Sequence, residues 1–193
     1  MGVNKNINKD FLYYATLGHN MTSVNPKFYS NLLGFRKNVS LINIEKTKES
    51  LRLANEFLNG IFSKENCSML FVNLNNESSI STRICALRSA QPFLIKNWWS
   101  GTLTNVLFQN KIDVIFIISA KNHNFILQEA KKLNIPVIAV VDTDIDSNLV
   151  TFPIWLNDDS IEIHHELTFL VSSMILQAKL INYGIIHKKS KNA

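Results

Sequence analysis

Three short runs of the chain are almost wholly apolar: "SMLFVNL" at 68–74, "DVIFIIS" at 113–119 and "PVIAVV" at 136–141. Runs this brief and continuous suit strands buried on both faces, as in the interior of a parallel sheet. A fourth run, "VSLINI" at 39–44, alternates only in part and is a weaker strand. Between these runs the hydrophobic positions recur at helical spacing. After Thr47, which suits an N-cap, Leu51, Ala54, Phe57, Leu58, Ile61 and Phe62 fall on one side of a helix. A second helix is predicted from Ser78 or Ser79, with Ile80, Ile84 and Leu87 turned inward. A third follows Asn122 and buries Ile126, Leu127, Ala130 and Leu133. Lys131 and Lys132 close it, where the helix dipole favours cations, and Asn134 ends it. The last helix is predicted over about 160–183, opened by an Asp159–Glu162 capping pair and closed by Gly184. Its stripe is Ile163, Leu167, Leu170, Val171, Met174, Ile175 and Ala178.

Strands alternating with helices of this length predict βαβ crossovers. The fold class is therefore α/β: a doubly wound, mainly parallel sheet flanked by helices, Rossmann-like in outline. Residues 39–184 make up that domain, residues 1–38 an irregular N-terminal extension packed across it, and residues 185–193 a basic C-terminal tail that frays.

Composition sharpens this picture only in places. With 193 residues, 46% hydrophobic and 18% charged, the chain is long enough for a sizeable core and too apolar for wholesale disorder. The net charge is +5, but its distribution says more than its sum. Seven acids and no Lys or Arg lie between Asp142 and Glu166, leaving 20 basic residues against 8 acidic ones elsewhere. Arg83, Arg88, Lys96 and Lys111 lie in a stretch from Ser78 to Ile112 without any acid. The molecule is thus bipolar and mostly basic, which permits an anionic partner without requiring one. Cys67 and Cys85 lack zinc-site spacing and read as buried or half-buried thiols, in keeping with a reducing compartment. No apolar run approaches the roughly 18 residues of a membrane span, and the first twenty residues have neither a signal-peptide block nor an Arg-rich presequence.

A doubly wound sheet raises the question of a nucleotide. Both GxGxxG and the phosphate loop GxxxxGK[ST] are missing, as is the GxSxG elbow of hydrolases. The acidic set is more suggestive. Asp142 ends a strand, Asp144 and Asp146 follow it, and Asp158 with Asp159 opens the last helix. Asp142, Asp158 and Asp159 could hold a divalent cation such as magnesium or zinc. They equally suit an Asx-rich turn and a helix cap. Opposite in sign is 25–48, where Lys27, Arg36, Lys37, Lys46 and Lys48 face a single acid, Glu45, with Phe28, Tyr29 and Phe35 interleaved. Cations for phosphates and rings for unpaired bases suit RNA, although a solvated surface is the plainer reading of any one such run.

The motifs "GH" (18–19), "NPK" (25–27), "GFRKN" (34–38), "INIEKT" (42–47), "MLFVN" (69–73), "WWSGTLTN" (98–105), "EAKKLNIPVIAVVDT" (129–143) and "NDD" (157–159) occur in one order. In that order and spacing the chain resembles the universal small-subunit ribosomal protein number two family from about Gly18 to Tyr183. The resemblance implies a structural constituent of the small ribosomal subunit, set between head and body and supporting translation. It implies no catalytic activity, no membrane, no small-molecule substrate and no required cofactor, though some members carry a divalent metal. Its implied partners are small-subunit ribosomal RNA and neighbouring ribosomal proteins. RNA contacts are expected from His19, Asn25, Lys27, Arg36, Lys37, Asn38, Lys46, Lys96, Trp99, Thr102 and Asn105. Trp98 is expected to pack beneath the turn and Trp99 to lie nearer the surface. Thr102, Thr104 and Asn105 serve either the turn's own backbone or RNA.

Departures from the family pattern locate the chain within it. Bacterial members carry a long helical hairpin after "GTLTN"; here Asp113 follows Asn105 within eight residues. That shortening resembles mitochondrial members, and with no presequence it points to a protein made within the mitochondrion and used in its matrix ribosomes. The family's usual Arg-Trp-Leu-Gly-Gly is Asn97, Trp98, Trp99, Ser100 and Gly101 here, so a candidate phosphate contact is lost with the arginine. Two rivals remain at this point. One is a small α/β metal-dependent enzyme or binding protein using Asp142, Asp158 and Asp159; the other is an adaptor that binds only proteins.

Overall fold

The computed structural model describes residues 14–64, 66–95, 97–104, 112–121 and 123–191, and the side chains of the last helix as far as Gly184. Its strands are β1 (Leu17–Asn20), β2 (Leu32–Arg36), β3 (Val39–Ile42), β4 (Met69–Asn73), β5 (Phe93–Ile95), β6 (Val114–Ile117), β7 (Val137–Val141) and β8 (Phe152–Trp155). Its longer helices are α1 (Ile44–Phe62), α2 (Ser79–Arg88), α3 (Asn124–Lys132) and α4 (Ile161–Lys191).

The three apolar runs became β4, β6 and β7, the centre of a parallel sheet ordered β5-β4-β6-β7-β8. Every residue of these three strands is buried, because both faces are covered. Met69, Phe71, Val114, Phe116, Ile138 and Val140 meet the apolar sides of α1 and α4. Leu70, Val72, Ile115, Ile117, Ala139 and Val141 meet α3 and, through Val24, Phe28 and Ile42, the N-terminal part of the chain. The sheet is doubly wound as the alternation predicts. Its edges, β5 and β8, are short and half-buried, and Pro153 interrupts the apolar pattern of β8; neither strand was evident from hydrophobic runs.

The fourth run does not join that sheet. β3 lies between β1 and β2 in a separate three-stranded antiparallel sheet. The cause is local: Arg36 pairs with Val39, leaving a two-residue loop whose Lys37 and Asn38 have φ of 47° and 64°. Positive φ at both central positions is the pattern of a tight type I′ hairpin, which enforces antiparallel pairing.

Several helix details differ from the sequence reading. Asn43, rather than Thr47, caps α1, its side chain accepting the Glu45 N–H at 3.0 Å. Thr47 is buried in the first turn and donates its hydroxyl to the Trp155 carbonyl at 2.7 Å, tying α1 to β8. Helix α2 is rotated from its expected orientation: Ser79, Thr82, Cys85 and Ala86 face inward, and Ile80, Ile84 and Leu87 face solvent. Small side chains let α2 approach closely enough for Thr82 Oγ1 to accept from Asn73 Nδ2 at 2.8 Å. In α3, Ile126, Leu127 and Ala130 are buried, but Leu133 is exposed just past the last turn. Ser160, not Asp159, supplies the carbonyl that receives the His164 N–H at 3.2 Å. Gly184 does not end α4, which runs on to Lys191. One glycine costs a helix only about 1 kcal/mol, too little to stop a segment whose neighbours all tolerate helix.

Candidate functional site

Strand β1 carries His19 across to the carboxyl ends of β7 and β8, and the approach requires a glycine before it. A Cβ on Gly18 would lie 2.5 Å from Ser40 Oγ and 2.6 Å from Thr143 Cγ2. The His19 backbone N–H donates to Thr143 Oγ1 at 2.9 Å, and Ser40 donates its hydroxyl to the His19 carbonyl at 2.7 Å. Asn25 N–H donates to the Thr143 carbonyl at 2.8 Å, so the turn after β7 holds the N-terminal sheet at two points.

The His19 ring lies among carboxylates. Its Nδ1 is 3.3 Å from Asp142 Oδ2, and its Nε2 is 3.3 Å from Asp159 Oδ2 and 3.6 Å from Asp144 Oδ2. Lys121 adds a second cation, with Nζ 3.0 Å from Asp144 Oδ2. The hydrogen bond with Asp142, aided by the charges of Asp142, Asp144 and Asp159 and opposed by burial, raises the His19 pKa to about 9. The carboxylates thus favour the imidazolium at neutral pH, against the opposing charge of Lys121, whose Nζ lies 3.2 Å from His19 Nε2. Asp142 is fully buried and also accepts from the backbone N–H groups of Thr143 and Asp158.

Asp158 stands beside this group but plays a different part. It accepts the Ser119 hydroxyl, and burial, reinforced by the charges of Asp142 and Asp159, pushes its pKa up to about 6. Its backbone carbonyl receives His164 Nε2 at 2.7 Å, which fixes the proton on that nitrogen. Burial holds the His164 pKa down, so Nδ1 accepts from Ser78 Oγ at 3.0 Å. Ser78 accepts in turn from Asn73 Nδ2 at 2.9 Å. A cleft of about 360 Å³ opens here, at the ends of β4 and β6 where the strand order reverses. Open α/β sheets bind ligands at that position. Of its polar lining, Asn73, Ser119 and His164 are joined into this network, while His123 Nδ1 and Asp158 Oδ1 are buried without a hydrogen-bond partner among the described residues.

The cation-binding set expected from the sequence is thus regrouped. His19, Asp142 and Asp159 have ligand atoms within 4.8 Å of one another, and Asp158 is outside this trio. A divalent ion could bridge that span only if His19 lost its proton and Lys121 withdrew, because these side chains already supply the positive charge. Two cations set against the carboxylates of Asp142, Asp144 and Asp159 offset most of the negative charge but not all of it. Asp144 Oδ1 is buried without a hydrogen-bond partner among the described residues, so the set fits a cation only with that rearrangement.

On the α3 side, the loop after β5 is gathered by one carboxylate. Glu129, buried on α3, accepts from Leu103 N at 2.9 Å, Thr104 N at 3.1 Å and Trp98 Nε1 at 3.2 Å. Trp98 packs against the core, while Trp99 is 73% exposed. Thr102 donates its hydroxyl to the Trp99 carbonyl at 2.6 Å, closing the turn, and Gly101 takes φ of 89°. Glu129 and Lys121 were missed as site residues from sequence. Glu129 opens the stretch "EAKKLNIPVIAVVDT" shared with the family, the one signal in the sequence that points to it.

The basic residues fall into two groups. At the hairpin tip Arg36, Lys37 and Asn38 are exposed, with no salt bridge to any described residue, beside an edge-to-face Tyr29–Phe35 pair at 6.1 Å. Lys27 and Lys46 are exposed but paired, with Asp146 at 3.2 Å and Glu49 at 3.2 Å. His19, Asn25 and Thr102 use their side chains within the protein, Asn25 accepting the Lys27 N–H at 3.0 Å. Lys96 and Asn105 lie outside the described residues, as do Asn122 and residues 1–13.

Comparison with known proteins agrees with the motif order. The family described as Ribosomal protein S2 matches residues 13–111 and 107–178. The "Small ribosomal subunit protein uS2" of Coprothermobacter proteolyticus is 25% identical over 224 aligned positions, which cover 91% of this chain and 83% of that protein.

Proposed function

The chain belongs to the ribosomal protein S2 family, and from that premise we propose that it is a mitochondrial-type member whose basic hairpin binds small-subunit ribosomal RNA. Its role is structural, in the small ribosomal subunit, and it is not an enzyme. Within this reading Arg36, Lys37 and Asn38 meet the phosphate backbone. Lys27, Lys46, Lys96, Trp99 and Asn105 extend the contact, and His19, Asn25 and Thr102 shape the surface from beneath. Residues 1–38 act as the RNA-facing part, although β1 and β2 share a sheet with β3 of the support at 39–184, and the basic stretch 185–193 continues α4 as far as Lys191. Neighbouring ribosomal proteins complete the seat between head and body.

The observation that carries the RNA reading is the exposed, acid-free hairpin tip with its two adjacent rings. Cations there neutralise phosphates, and two packed sheets hold them in register. Support for the mitochondrial type comes from the short β5–β6 connection, with Asp113 eight residues after Asn105. The alignment with the bacterial relative runs to 224 positions, more than the 193 residues of this chain, so that relative carries additional residues. The test is binding to small-subunit RNA fragments over a salt series. Arg36→Ala with Lys37→Ala should lower the slope of log affinity against log salt by about 1.5; an unaltered slope refutes the contact. Cosedimentation with small subunits from fractionated mitochondria tests the compartment.

No cofactor is required in this reading. A divalent ion at His19, Asp142 and Asp159 is the second reading, favoured by the 4.8 Å span of their ligand atoms. Calorimetric titration with zinc or magnesium at pH 7 should show no saturable heat, and a stoichiometric transition would establish the ion.

A further inference from the structure

Helix α2 presents to solvent a face that folding does not use. Ile80, Ile84 and Leu87 are 69%, 60% and 59% exposed, while the buried residues of the helix are the small ones on the opposite face, Ser79, Thr82, Cys85 and Ala86. Their spacing of four and three residues aligns them in one ridge about 10 Å long. Beside the ridge, a groove of about 360 Å³ opens between α2 and α4, lined by Ser81, Ile84, Cys85, His165, Glu166 and Phe169. Phe169 is itself 53% exposed, and the Arg88 guanidinium lies 4.3 Å from its ring centre. A ridge beside a parallel groove is what one helix offers to another.

Charge narrows the choice of occupant. Helix α2 brings Arg83 and Arg88 to the patch and no acid, and the sequence has none from Ser78 to Ile112. The α4 wall adds His165 and a single carboxylate, Glu166. We infer that the α2–α4 surface docks an amphipathic helix of a neighbouring protein in the small subunit, its apolar row on Ile80, Ile84, Leu87 and Phe169 and its acidic flank against Arg83 and Arg88. RNA is the wrong occupant, because a phosphate backbone has no counterpart for an aliphatic ridge. The inference rests on the small-subunit role but not on the RNA contacts of the hairpin, which belong to a different element.

The test places a photoreactive benzoylphenylalanine at position 84 and, in a second chain, at position 37, each in the full-length protein assembled into small subunits. Both positions are exposed, so neither substitution replaces a buried contact, and circular dichroism of each labelled chain checks that the hairpin, whose Lys37 has φ of 47°, is kept. After illumination the adduct is identified by mass. Position 84 should capture a protein segment combining an apolar row at helical spacing with Asp or Glu beside it. An adduct on nucleotide or lipid, on a basic or non-helical segment, or no adduct at all overturns the inference. Arg83→Glu should reduce the yield at position 84 severalfold, and an unchanged yield overturns the acidic flank. Position 37 should capture nucleotide; if it captures only peptide, the RNA reading fails while the α2–α4 surface stands.

Discussion

Replacing His19 with Asn removes the one imidazolium that joins the two sheets and leaves Asp142 buried without it. The size of the loss follows from the ring's titration. Its pKa rises from 6.5 to about 9 on folding, which at about 1.4 kcal/mol per unit amounts to about 3 kcal/mol. Asp159, one of the partners, is 63% exposed, and screening there trims the figure to about 2–3 kcal/mol. A histidine whose folded pKa is raised stabilises fully below its unfolded pKa, and that stabilisation fades as pH climbs through the folded value. The wild-type chain should therefore lose about 2–3 kcal/mol between pH 6.5 and pH 9.5, whereas His19→Asn should lack that loss. With a urea slope of about 2 kcal/mol per molar, the midpoints should differ by about 1–1.5 M at pH 6.5 and converge near pH 9.5. Fluorescence of the three tryptophans reads both curves. Equal midpoints at pH 6.5, or a gap that persists undiminished at pH 9.5, would refute the ion-pair argument.

Three other perturbations test separate parts of the structure. Gly18→Ala drives a methyl against Ser40 and Thr143 at 2.5–2.6 Å; calorimetry should record a loss of about 1–3 kcal/mol, as for overpacked cores. Glu129→Ala removes the shared acceptor of Leu103 N, Thr104 N and Trp98 Nε1, and hydrogen exchange at those two amides should quicken about tenfold or more. For Asp158 the raised folded pKa of about 6 means that its charged form is the disfavoured one, so the wild type should lose stability as pH rises from 4 to 6. Asp158→Asn should lack that fall, as urea midpoints at pH 4 and pH 7 will record.

What the sequence disclosed depended on how far each signal travels along the chain. β4, β6 and β7 were legible because strands covered on both faces need no polar interruption, and their runs are unbroken. The α4 stripe was legible for a similar reason, with its buried residues at helical spacing through Ala178. The membership of β3 in a second sheet was hidden in the Lys37–Asn38 turn, which lacks the glycine that normally advertises such a hairpin. The orientation of α2 is not legible in the sequence, because its inward face of Ser79, Thr82, Cys85 and Ala86 carries no large apolar residue. For the site, the motifs holding His19, Asp142 and Asp159 were each noticed, and the structure brings all three together. Their grouping was not legible, because periodicity carries no information about which distant segments meet. Nor does it foretell that Lys121 would enter the same cluster as a counter-charge.

The docking of β1 onto the turn after β7 joins residues 124 positions apart. β1, β2 and β3 leave a translating ribosome together, yet their anchor at Thr143 is synthesised only later. At about 5–20 residues per second, the interval is about 6–25 seconds. For that time the nascent chain carries its most cationic hairpin with nothing behind it. Release of a polypeptide truncated before position 142 would yield a species that keeps the hairpin's charge and lacks its support.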